Sequence, residues 1–285
     1  MAKGEWKHTT RIIEAAAEIL AAEYPMTLRQ CFYRLVSVGV IENTREDYQA
    51  LSTYLTKARA DRRIEYEWIV DRSRPEYSVG AFESPAEFAE IMKCGYRKDY
   101  WQLQPRYVEI WTEKDSIIGS IEPVTKELGV TVRVGRGFLS TTRAYEIAQR
   151  FRSINKPIWV FYLGDFDPSG VAIEKDAAAR VKAQGADFLI ERLAIHKADI
   201  AEFNLPPLRV KQSDTRSSEF HRKHGNEAVE LDALPVTELR ERIHDAVSSL
   251  IDHGIWSRAV TAEKAEIASI TEFTNKWKNL PQQDV

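Results

Sequence analysis

Residues 157–170 read Pro-Ile-Trp-Val-Phe-Tyr-Leu-Gly-Asp-Phe-Asp-Pro-Ser-Gly, and the reading of the whole chain turns on them. The apolar run 157–164 has the length and composition of a buried strand. Pro168 cannot continue a ladder, and Ser169-Gly170 opens a helix. Side chains alternate along a strand, so Asp165 and Asp167 are expected on the same side. Two carboxylates then sit together at the C-terminal edge of a strand. Open parallel sheets place their ligands at that edge.

The flanking sequence repeats the pattern. Apolar strands over 107–112, 130–134 and 187–193 alternate with helical stretches over 115–128, 140–153 and 169–183. Such alternation predicts an α/β fold, a mainly parallel sheet flanked by helices. The first strand also ends in acids, Glu113-Lys114-Asp115. If the two strands are neighbours, Glu113 faces Asp165 and Asp167 across a small crevice. Three carboxylates so placed repel one another and need a cation or raised pKa values. Oxygen-only ligands suit Mg2+, which would bind phosphate oxygens and stabilise charge in phosphoryl transfer. A plain structural reading stands beside this one, with Asp165 as a helix cap, Asp167 as a turn residue and Glu113 as a surface acid.

Upstream, residues 9–23 carry Ile12, Ile13, Ala16, Ile19 and Leu20 on one helical face. Pro25 ends that helix. Thr27 caps a second reaching about Val38, and Thr44 caps a third. Lys57, Arg59, Arg62 and Arg63 gather at the end of the third helix, followed by Arg72 and Arg74. Ile64, Tyr66, Trp68 and Val70 then alternate with charged residues, as in an exposed strand. Three helices and a strand are the order of a winged-helix module. The cationic cluster falls where such a module meets double-stranded DNA, although a helix C-terminus collects cations in any case. Arg133, Arg136 and Arg143 flank the crevice and are further candidates for phosphate.

These patterns divide the chain into a module over 1–74, a linker with one short helix over 75–105, the α/β domain over 106–200 and a helical extension over 201–285. In the extension, 211–226 reads as a polar loop with exposed His221 and His224. Residues 236–252 and 261–278 read as helices.

Composition sets the outer limits. The chain has 285 residues, 44% hydrophobic and 29% charged, with a formal net charge of −3. That suits a soluble globular protein, and any nucleic-acid surface must be local. Two cysteines, Cys31 and Cys94, make no disulfide framework and lack zinc-ligand spacing. No apolar segment is long enough for a signal peptide or a membrane span, so a cytoplasmic protein without membrane partners is expected.

The Glu-Lys at a strand end, followed by Asp-x-Asp-Pro-x-Gly, resembles the Toprim domain of topoisomerases, primases and some nucleases. Gly164-Asp165-Phe166-Asp167-Pro168-Ser169-Gly170 is most similar to the A subunit of DNA topoisomerase VI and its relatives, over residues 107–195. The resemblance implies that Glu113, Asp165 and Asp167 hold Mg2+. It also implies a winged-helix module of the 5Y-CAP-like kind, whose nucleophile lies in the pattern Arg-x-x-(Phe or Tyr)-Tyr. Here that pattern is Arg29, Phe32, Tyr33, which puts the nucleophile on Tyr33 and a supporting cation on Arg29. A free tyrosine, with a pKa near ~10, needs such a cation to react as phenolate. The family further implies a homodimer in which Tyr33 of one chain meets the metal of the other, cutting one strand per site and leaving a 5′-phosphotyrosine. The chain is shorter than typical A subunits and carries no ATPase domain, so strand passage would need a separate ATPase subunit. In this it looks like the stand-alone reduced (Mini-A-like) proteins. Glu230-Leu231-Asp232-Ala233-Leu234-Pro235 also resembles a stretch of these chains and is expected to be structural. Two other readings remain: a metal-dependent endonuclease in which water attacks, and a non-catalytic DNA-binding protein.

Overall fold

The computed structural model of the protein describes residues 3–70, 81–135, 137–209 and 217–278. Three helices come first: α1 (Lys3–Glu23), α2 (Leu28–Ser37) and α3 (Arg45–Ala60). The caps foreseen for α2 and α3 are formed. Thr27 Oγ1 accepts from Gln30 N at 3.1 Å, and Gln30 Oε1 accepts from Thr27 N at 2.8 Å. Each partner satisfies an amide that the helix start would leave unpaired. Thr44 Oγ1 accepts from Asp47 N at 3.1 Å. Ile12, Ile13, Ala16 and Leu20 of α1 are buried with Cys31, Phe32 and Leu35 of α2 and Leu51 and Leu55 of α3.

The next stretch departs from expectation. Residues 64–70 do not form a strand: Tyr66–Trp68 is a single 3-10 turn, and Met26 pairs with Ile69 in an isolated parallel bridge. Arg59 stacks on the Tyr66 ring at 4.6 Å and donates to Tyr66 O at 3.1 Å, folding the chain back against the end of α3. Arg72 and Arg74 lie outside the described residues.

Beyond α4 (Pro85–Gly95) strands and helices alternate: β1 (Tyr107–Thr112), α5 (Ile118–Glu127), β2 (Thr131–Val134), α6 (Thr141–Ser153), β3 (Ile158–Leu163), α7 (Pro168–Ala183), β4 (Leu189–Ala194) and α8 (Lys197–Glu202). The four strands make one parallel sheet in the order β2-β1-β3-β4. Alternating side chains feed two cores. Val108, Ile110, Phe161 and Leu163 join α5 and the N-terminal helices in one. Trp111, Val160 and Tyr162 meet Ala144, Ile147, Phe151, Ala177 and Val181 of α6 and α7 in the other. Burying each large apolar side chain stabilises the fold by roughly 1.5–3 kcal/mol, so a one-residue slip of β3 would exchange the two faces at heavy cost. The segment before β1 is anchored too: Trp101 is buried, and Lys156 Nζ donates to the carbonyls of Trp101, Gln102 and Gln104 at 2.7, 3.0 and 3.1 Å.

The remainder holds β5 (Leu208–Arg209), α9 (Ser217–His224), β6 (Glu227–Ala228), α10 (Val236–Ser248) and α11 (His253–Lys278). The stretch expected as a polar loop over 211–226 is therefore helical at 217–224. The rings of Phe220 and His224 pack against Phe166, each at 5.2 Å, and supply the apolar contact that a short polar helix lacks alone. His221 and His224, expected exposed, are half-buried. The last helix starts at His253, upstream of the expected 261. Among the described residues no helix is long and apolar enough to cross a membrane.

Candidate active site

β1 and β3 are adjacent, with Thr112 in register with Leu163, so Glu113 and the Gly164–Asp167 loop leave the sheet side by side. The strand order turns outward in opposite directions from this pair, which makes the crevice between them the switch point where parallel sheets bind ligands. Glu113 Oε1 accepts from Asp165 N at 3.1 Å. Gly170, in the first turn of α7, closes over the same loop. A Cβ there would stand 2.4 Å from Asp165 O and 3.2 Å from Glu113 Oε1, so only glycine fits.

The two aspartates do not aim at one point. Asp167 caps α7, accepting from Gly170 N at 2.6 Å. The helix cap thus falls on Asp167 and not on Asp165. Asp165 Oδ1 accepts from Leu231 N at 2.7 Å and pairs with Lys114 Nζ at 2.8 Å. Arg192 braces the loop from beneath, donating to Gly164 O at 2.8 Å and Asp165 O at 3.2 Å while its other face pairs with Glu174.

Lys114 is the hub of this site, a role that its place in the Glu113-Lys114-Asp115 stretch does not reveal. Its ammonium also reaches Asp232 Oδ2 at 2.7 Å and Glu230 Oε2 at 3.4 Å. Burial opposes its charge, yet Asp232, Asp165 and Glu230 outweigh burial and hold Lys114 above the ordinary lysine range. Glu230 is in turn held below the usual carboxylate range, because Lys114 and Arg29 more than offset its burial. Glu230 and Asp232 belong to the segment expected to be only structural. The signal within reach was its acid-x-acid spacing, which says nothing about a partner more than a hundred positions away.

Arg29 connects α2 to this hub. Its Nε and Nη2 donate to the two carboxylate oxygens of Glu230 at 2.7 and 2.5 Å. Tyr33, one turn on, places its hydroxyl 3.5 Å from Arg29 Nη2. The side chain is 4% exposed and packs edge-on against Phe32. Arg29 and Lys114 favour the phenolate, as the Arg29–Tyr33 spacing suggested. Burial, assisted by Glu230, outweighs them and pushes the Tyr33 pKa up to about 12. The net shift is opposite to the expected activation, because burial of the phenol, with Glu230 beside it, outweighs the nearby cations.

The three acids meet electrostatically more than geometrically. Burial, then Asp165, and to a lesser extent Asp167, raise the Glu113 pKa, while burial raises that of Asp165 despite Lys114. Among the described residues no three acids, histidines or cysteines stand close enough to grip one ion as their side chains now lie. The donor chemistry nevertheless fits Mg2+: the donors are carboxylate oxygens, and Glu113 feels two like charges that a divalent cation would relieve. Beside Glu113 a small cavity of about 20 Å3 is also lined by Tyr162, whose buried hydroxyl has no hydrogen-bond partner among the described residues.

The remaining cations separate into two groups. Lys57, Arg62 and Arg63 are exposed at the end of α3, with Arg62 in the left-handed region (φ 55) that turns the chain there. Arg59 is half-buried and lines a groove of about 370 Å3 that also takes in Arg29, Tyr48 and Ser116. Near the sheet, Arg133 is not available to phosphate, since it forms a two-pronged pair with fully buried Glu109 at 3.0 and 2.9 Å. Arg143 is exposed at the start of α6, paired with Glu146, and Arg136 lies outside the described residues. No family model matches the chain, and no curated protein matches it.

Proposed function

We propose that this chain breaks double-stranded DNA in the manner of a topoisomerase VI A subunit, with Tyr33 as nucleophile and a Toprim-type acid site. One observation carries the reading: the Tyr33 helix is tied to the strand-end acids by a continuous chain of ion pairs, Arg29 to Glu230 to Lys114 to Asp165. A tyrosine that only packed in a core would not need its helix moored to a carboxylate crevice. In this reading residues 1–74 are the winged-helix module and 106–200 the Toprim domain, and the protein acts as a homodimer.

Glu113, Asp165 and Asp167 would hold Mg2+. When bound, the ion supplies Lewis-acid stabilisation of charge on phosphate oxygens. Tyr33 Oη forms the bond to phosphorus as the bond from phosphorus to the 3′ oxygen breaks. The phenol proton leaves to solvent and the 3′ oxygen takes one up, leaving a 5′-phosphotyrosine. Arg29 stabilises the phenolate as it develops, and Lys57, Arg59, Arg62 and Arg63 seat the duplex by its phosphates.

A second reading is favoured by the burial of Tyr33 and its raised pKa: the same acids serve water as nucleophile, and Tyr33 packs. One experiment separates the two. Supercoiled DNA is incubated with the protein and Mg2+, stopped with detergent, and examined for protein joined to broken ends. A covalent adduct absent in Tyr33→Phe supports the tyrosine reading. Free ends unchanged by that substitution support the hydrolytic one, and intact DNA refutes both.

A further inference from the structure

On the far side of the acid loop, α7 and α9 flank an open cavity of about 150 Å3. Its floor includes Val171 and Phe220, and its walls carry Lys175, Lys223, Glu219 and His224. It begins at Pro168, the residue after Asp167, so it opens beside the candidate active site. Phe166 points away from the two acids between which it lies, and packs against Phe220 and His224 beneath this cavity. The floor is thus part of the scaffold that holds Asp165 and Asp167.

The charge here is unlike that at the acids. Among the described residues Glu219 is the one acid in the cavity wall, and it is already paired with Lys223 at 2.6 Å. Lys175 and Lys223 are exposed at the rim, and Lys197 Nζ lies next to Gly225, at the end of α9. His224 is held below the ordinary imidazole range, by burial first and then by Lys175, Lys223, Lys197 and Arg192, so four cations act on one ring. A concave site with apolar walls and a surplus of like charge focuses the field on an incoming ion of opposite sign. In a chain whose net charge is −3, this concentration of lysine is local.

We propose that the cavity between α7 and α9 is a phosphate-binding site, in which Lys175 and Lys223 take a backbone phosphate of the DNA strand that passes the acid loop. The proposal rests on the DNA-breaking function proposed above. It adds a contact on the α/β side of the break, opposite in the chain to the cationic end of α3. Both lysines act as point charges, so the contact reads no sequence.

The test is the salt dependence of binding to a labelled duplex, measured without divalent metal so that cleavage does not enter. Lys175→Ala/Lys223→Ala is compared with the wild type and with Arg62→Ala/Arg63→Ala, each checked by circular dichroism and thermal midpoint. The expected result is uniform weakening across unrelated sequences, with the slope of log K against log salt reduced in magnitude by about one, for the single phosphate given up. A lysine variant that binds like the wild type, while the arginine variant is weakened, overturns the cavity proposal and leaves the DNA reading standing. A wild type that binds no DNA at any salt overturns both. In a parallel arm inorganic phosphate is titrated against the His224 ring signals by NMR. Phosphate-induced shifts together with unchanged DNA affinity assign the cavity to a free anion and overturn the DNA contact.

Discussion

Arg29 and Glu230 lie 201 positions apart in the chain and meet through two hydrogen bonds, at 2.7 and 2.5 Å. The pair joins the helix that bears Tyr33 to the hub at Lys114. The mooring is made within one chain, and Glu230 adds to the burial that raises the Tyr33 pKa. The guanidinium next to the tyrosine is already partnered, so in the proposed reaction Glu230 would have to give up or share Arg29.

Removal of the Glu230 charge tests this directly. Glu230 raises the Tyr33 pKa through its own charge and through its hold on Arg29. In Glu230→Gln the Tyr33 phenolate is expected to form below the wild-type value of about 12. Absorbance titration, with Tyr33→Phe subtracted to isolate the one residue, measures the shift. A midpoint that stays or rises would show that burial alone sets it.

Glu109 is fully buried and accepts from Arg133, Tyr107 and Trp111. Arg133→Met leaves that buried carboxylate with only the longer contact to Arg150 at 3.7 Å, and a loss of up to about 3–5 kcal/mol is expected in chemical denaturation. Adding Glu109→Gln should recover part of the loss. A near-neutral Arg133→Met would mean that the pair contributes little.

Gly170→Ala inserts a methyl group 2.4 Å from a backbone oxygen, a contact that no side-chain rotation relieves. The α7 terminus must shift from the acid loop, at a cost of about 1–3 kcal/mol. Thermal unfolding reads the loss. Alanine at the solvent-facing Gly95, with nothing near its Cβ, is the control expected to be silent in this respect.

The raised pKa of Glu113 fixes the sign of a pH effect. An acid whose folded pKa exceeds its unfolded value is favourable when protonated and costs stability as pH rises through the folded value. Glu113→Gln should therefore raise the thermal midpoint at neutral pH. The advantage should vanish below the ordinary carboxylate pKa of 4.5, where the wild-type group is protonated in both states. Mg2+ is expected to raise the wild-type midpoint at neutral pH and to have less effect on the variant. Equal midpoints for the two proteins across the range would remove the charge-repulsion account.

Local signals carried much of the fold. β1 was legible because six apolar-leaning residues stand between turn residues, and the caps of α2 and α3 were legible because Thr27 and Thr44 need only partners three residues away. The same local logic misled at 64–70, where alternation promised a strand but no neighbouring strand supplied a ladder and Arg59 folded Tyr66 back. It also missed α9, a polar helix stabilised by contacts with Phe166 from far along the chain.

From sequence alone, Glu113, Asp165 and Asp167 could be expected at one sheet edge, because strand ends and their alternation are set by neighbours along the chain. What those acids meet was decided only in three dimensions. Lys114 settles among Asp165, Glu230 and Asp232, Asp167 turns to cap α7, and Arg29 is claimed by Glu230. Charge acts through space, with no regard for position along the chain, so a partner 201 residues away leaves no periodic trace.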